Sequence, residues 1–151
     1  METESPVEQI DGCEYLFLSS ISEPEENGLL ILVQEGLPAG EPETLQVGAG
    51  TITGVVPIDV TAQSRAFELH WPLYISYAVR NESFCTWDED EEWAGFAFRV
   101  YTRSKFLDFV ARGTFASTEY PGPFKHYQIL CANHIIDVAA QEAPIVRVVG
   151  A

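Results

Sequence analysis

Residues Trp87 to Trp93 read WDEDEEW: five consecutive carboxylates, Asp88, Glu89, Asp90, Glu91 and Glu92, between two tryptophans. Three roles suit such a run. Its oxygens can hold a hard cation. Its charge can steer a basic protein while the aromatic rings anchor it. Or its like charges repel and extend a solvated turn. The Gly and Asn/Asp spacing that shapes a calcium loop is missing, so no metal is assigned. The expected role is a partner-binding surface made of Trp87, Asp88, Glu89, Asp90, Glu91, Glu92 and Trp93, with the solvated turn as the plainer reading.

Other reactive side chains are sparse. The three histidines are His70, His126 and His134. On one straight strand the last two lie about 26 Å apart, at about 3.3 Å per residue, too far to share a metal. Cys131 and His134 are three apart, which on a strand means opposite faces and no thiolate–imidazole pair. No Walker loop, dinucleotide-binding glycine fingerprint, H-E-x-x-H or G-x-S-x-G occurs. No catalytic residue and no cofactor are assigned.

The richest polar constellation comes from strand alternation. In AFELHWPLYISYAVRNESF, the residues Phe67, Leu69, Trp71, Leu73, Ile75, Tyr77 and Val79 form an apolar face. Glu68, His70, Tyr74, Ser76, Arg80 and Glu82 take the even positions. WAGFAFRVYT repeats the scheme, with Phe96, Phe98 and Val100 opposite Arg99 and Tyr101. Paired as a hairpin, the two segments bring His70, Tyr74, Arg80, Glu82, Arg99 and Tyr101 to one sheet face. Such a face can hold a small carboxylate or phosphate, or its arginines can pair with local acids. His126, Gln128 and His134 join it if the later strand runs alongside. Asn133 and Asp137 share a face with Ile135 and require hydrogen-bond partners if buried.

The elements that position these groups follow from period and punctuation. Residues 1–11 read as a loose acidic lead-in. Strands are expected at 13–20 and 29–35, with a Gly/Pro-rich loop and a short strand at 44–47. Pro57 marks an edge or bulge. The long 67–79 strand bends at Pro72, and a helix there is excluded by that proline. One helix is expected at about 103–112, capped by Thr102 or Ser104 and closed by Gly113. FKHYQILCANHIIDVAA reads as one long strand, and a short terminal strand follows Pro144. With no repeated βαβ pattern, the expected class is α+β: a mostly antiparallel, strongly curved sheet of six to eight strands with one helix packed on it. An all-β sandwich or barrel with a helix plug is the alternative. A length of 151 residues fits one domain.

Eight basic residues face twenty-three acidic ones, a formal net charge of −15. That opposes nucleic acid and anionic membranes, and favours basic protein surfaces. The acidic N-terminus lacks the basic and apolar regions of a secretory signal. Three well-separated cysteines, Cys13, Cys85 and Cys131, read as reduced thiols, so a cytoplasmic location is expected. In composition the chain resembles the immunity and inhibitor proteins that neutralise basic effector enzymes. The resemblance covers no motif. It implies a non-enzymatic domain using carboxylates and aromatics as a decoy for an anionic substrate. The competing expectations are a small-molecule-binding domain or enzyme using the Tyr/Arg face, and a homodimerising structural subunit.

Overall fold

A computed structural model describes residues 2–150. Its strands pair antiparallel throughout, in three sheets accompanied by two helices. The lead-in is not loose. Pro6–Asp11 forms helix α1, started by a capping box between Ser5 and Glu8, and it buries Ile10 completely. Asp11 then accepts the backbone N–H groups of Phe96 and Phe98 at 2.7 and 3.0 Å.

The first sheet runs β1 (Tyr15–Ser22), β2 (Leu29–Pro38), β6 (Ala66–Trp71), β12 (Ile145–Gly150), with β5 (Ile58–Asp59) added to the end of β2. The second runs β7 (Ser76–Asn81), β11 (His134–Ala140), β10 (Lys125–Cys131), β9 (Phe98–Arg103), β8 (Glu92–Ala94). A third, two-stranded sheet is the hairpin of β3 (Glu43–Val47) and β4 (Gly50–Val55). Alternation places Leu16, Ile31, Val33, Phe67, Leu69 and Trp71 of the first sheet in one apolar core with Phe98, Tyr127, Ile129, Ile136 and Val138 of the second.

Burial by two facing sheets replaces the single strongly curved sheet expected from the sequence; no sheet is curled. The reason lies at Pro72. The chain does not bend within one strand there but leaves β6 and re-enters as β7 of the other sheet. Phe67, Leu69 and Trp71 are buried as alternation demands, whereas Leu73, in the crossover, and Phe96, before β9, are each 58% exposed. The expected 67–101 hairpin is likewise absent: β7 pairs with β11, and β9 pairs with β10.

The long strand expected over 124–140 is two strands. Asn133 adopts φ +70°, a left-handed conformation that asparagine tolerates, and turns the chain between β10 and β11. Helix α2 (Lys105–Gly113) is the expected one, capped by Ser104. Gly113 is its last residue rather than a left-handed cap. Thr114 caps it, its N–H and hydroxyl both donating to the Val110 carbonyl.

Candidate functional site

The acidic loop lies between a single 3-10 turn, Glu82–Phe84, and strand β8. It is tied down at several points. Asp88 lies 3.0 Å from the Lys105 ammonium. It also accepts the Asp90 N–H, and these two contacts hold its pKa below the ordinary value. The Glu91 carboxylate accepts the Lys105 N–H at 2.8 Å, satisfying a free donor at the start of α2. Arg103 donates to the Asp90 carbonyl and sits 3.5 Å from Glu92. Arg99 lies over both tryptophan rings, 4.7 Å from the centre of Trp93 and 5.4 Å from that of Trp87. Mutual repulsion among the five carboxylates is thus offset by three of the chain's eight cations. Trp87 and Trp93 remain 59% and 43% exposed, held by Arg99 and, for Trp93, by the buried Tyr101 ring 5.5 Å away.

Beside this loop, under α2, the outer face of the second sheet carries a buried polar network. Asp137, His126 and Gln128 are each at most 2% exposed. The His126 ring bridges the Asp137 carboxylate, 2.6 Å from Nε2, and the Ser104 hydroxyl, 2.8 Å from Nδ1. Gln128 donates to Asp137 at 2.9 Å and accepts from the Tyr101 hydroxyl at 2.8 Å. Arg80 donates to the second Asp137 oxygen at 3.1 Å. Burial pushes the Asp137 pKa up, but the hydrogen bonds from His126 and Gln128, with the charges of His126 and Arg80, outweigh it and leave it lowered. A cavity of about 210 Å³ opens over the network, lined among others by Arg80, Lys105, Asp88 and Glu91.

Serine, histidine and aspartate in series are the parts of a nucleophilic relay. Ser104 is nevertheless buried, 3% exposed, and its hydroxyl accepts the Leu107 N–H as cap of α2. A hydroxyl buried at a helix end is not presented to a substrate, and the network holds α2 against the sheet.

The expected Tyr/Arg face is divided. Arg80, Arg99 and Tyr101 do share the outer face of the second sheet, but Arg80 serves Asp137 while Arg99 serves the tryptophans. His70 lies on the first sheet, 2.6 Å from Glu25. Tyr74 donates to Glu23, which pushes its own pKa up to about 12. Glu82 begins the 3-10 turn, and His126 and Gln128 join the face as the alternation allowed. His134 does not, because the Asn133 turn sets it directly opposite Cys131. The expectation that these two point to opposite faces fails for that reason. Burial pushes the Cys131 thiol up to about 12, the reverse of an activated nucleophile.

A second groove, of about 410 Å³, lies where the first sheet meets the acidic loop, lined by Glu14, Tyr15, Glu82, Trp87 and Arg99 together with the β10–β11 turn. Alternation within single strands gave no sign of it, because it joins β1 to a loop some seventy residues away. Among the described residues no group of three or more His, Cys, Asp or Glu side chains is gathered to hold a metal. No helix among them is long and apolar enough to cross a membrane.

Fold and sites together define an acidic, mostly antiparallel β protein with a helix-covered polar network and an exposed aromatic–carboxylate loop. No family model, no curated protein and no solved structure matches the chain.

Proposed function

We propose that this chain is a non-catalytic binding domain for a basic protein, in its most concrete form an inhibitor or immunity-type protein that occupies a basic effector enzyme. One observation carries the reading: charge is segregated along the chain. The first 64 residues contain twelve carboxylates and no Lys or Arg. All eight cations lie between Arg65 and Arg147. Five of them are ion-paired, and a sixth, Arg99, is held by the tryptophans. The acidic segment supplies no cation of its own; Glu35 meets Arg65 and Glu25 meets His70 from the rest of the chain, and a cationic partner relieves the repulsion among the others. The groove of Glu14, Tyr15, Glu82 and Trp87 supplies what such a partner uses: exposed aromatic area beside carboxylates.

Affinity purification from the native host with the full chain as bait, followed by rate measurements with the purified partner, tests this. The expected partner is basic, and its association rate falls as salt rises. Replacing Glu14, Glu82 and Glu89 by Gln slows association, whereas Trp87→Ala speeds dissociation. A partner that is not basic, or an association rate indifferent to salt, ends the reading.

A second reading has its own observation, the cavity over the buried His126–Asp137 pair, which carries Arg80 at its wall. A small anion would sit there. Inorganic phosphate should then raise the melting temperature of the parent and not of Arg80→Gln.

A further inference from the structure

We propose that the β3–β4 hairpin is a docking arm, and that its occupant is an apolar strip flanked by Lys and Arg on the basic partner protein; this rests on the reading of the chain as a binder of such a protein.

Among the described residues the hairpin pairs with no other strand. Every residue of β3 is exposed, as is every residue of β4 except Val55. Two-stranded hairpins without a packed face are marginal in water, yet this one is well specified. Its turn has Gly48 at φ +60° in the first central position, as a type II′ hairpin turn requires, with nothing within 4 Å of where a side chain would begin. Leu45 stands opposite Ile52 across the ladder, and Val47 is two residues on along the same face. The three are 44%, 50% and 59% exposed, respectively. Gln46 and Thr51 form the opposite, polar face. The chain has therefore built an apolar strip and left it uncovered, the usual mark of an interaction surface.

Charge selects the occupant. Glu43 opens β3, and Glu41 and Asp59 flank the hairpin, in a segment with no cation. A second copy of this chain presents the same acidic surface, and most of its cations are already engaged, so self-association through the arm sets carboxylate against carboxylate. A basic partner has the complementary field. The arm follows β2 in the chain: β2 runs on from Gly36, the partner of the groove residue Tyr15, to Pro38, and the hairpin begins at Glu43.

The test is selection of peptides against the intact chain from a random-peptide phage library, with the selected peptides then synthesised and titrated. The expected winners combine apolar residues with Lys and Arg. Their affinity falls about tenfold or more against Leu45→Ser/Val47→Ser/Ile52→Ser, the scale of losing a hot-spot cluster, while the variant's melting temperature stays that of the parent. A second variant, Glu41→Gln/Glu43→Gln/Asp59→Asn, keeps the strip and flattens the salt dependence. Basic peptides that bind the serine variant as well as the parent overturn the arm and leave the basic-partner reading standing. Acidic or uncharged winners, or no enrichment, overturn the partner chemistry itself. A concentration-dependent dimer of the parent that the serine variant abolishes shows the occupant to be a second copy and overturns the proposal.

Discussion

Asp137 shows how one residue can be read from a sequence in part and misplaced in part. Its position in NHIID marks it as a polar group needing partners, and it has three, His126, Gln128 and Arg80, which together leave its pKa lowered. Its partners were not legible as such, because the Asn133 turn decides which strand lies beside it. Removing it leaves His126 and Arg80 facing a void, so Asp137→Ala is expected to lose about 3–5 kcal/mol in urea unfolding, as breaking a buried pair does. The sign with pH follows from the lowered value. The folded pKa lies below the unfolded one of about 3.9. The stabilisation is complete above that value and is lost as pH falls through the folded pKa. Parent stability should drop below about pH 4, and Asp137→Ala should lack that component of the drop. The cysteines give a second check. Cys13 and Cys131 are buried, with burial pushing the thiols up to about 11 and about 12, while Cys85 is partly exposed. A thiol reagent should label Cys85 in the folded protein and the other two only on unfolding.

At the scale of elements, period-two alternation was legible wherever a strand stayed in one sheet. Leu69, with no exposed surface, sits in the core as its spacing requires, and Leu69→Ala should cost about 2–5 kcal/mol. Leu73 obeys the same alternation and is mostly exposed, so Leu73→Ala should change stability by less than about 0.5 kcal/mol. The contrast in chemical denaturation separates a continuous strand from one that crosses between sheets at Pro72. A proline signals a break but not its destination, since the sheet a strand rejoins depends on long-range pairing. Helix α2 was legible from its caps and spacing. What the caps do not reveal is that Ser104 also bonds His126. Ser104→Ala should therefore exceed the roughly 1 kcal/mol of an ordinary cap loss, and Ser104→Thr should recover part of it.

Over the whole molecule, the formal charge of −15 was plain from composition, but its consequence depends on where the cations sit. The acidic loop, the densest run of carboxylates, is the best compensated, because Arg99, Arg103 and Lys105 fold onto it. The field comes instead from the half of the chain that has no cation. Two effects of salt then compete. Screening weakens the surface ion pairs, each worth about 0–1 kcal/mol. It also weakens repulsion among carboxylates with no cation nearby, which acts over a Debye length of about 8–10 Å near physiological ionic strength. Glu35–Arg65 and Asp137–Arg80, with one buried partner each, are screened least, so the pairs that matter most are protected. Repulsion should therefore dominate the response. Raising KCl from a few millimolar to about 0.15 M is expected to raise the melting temperature, by about 2–4 °C for each kcal/mol of repulsion relieved. An uncharged osmolyte at equal osmolality serves as the control for non-electrostatic effects. A melting temperature that falls with salt would mean that ion pairs outweigh the acidic half. The association field on which a basic partner would draw would then be too weak to select one.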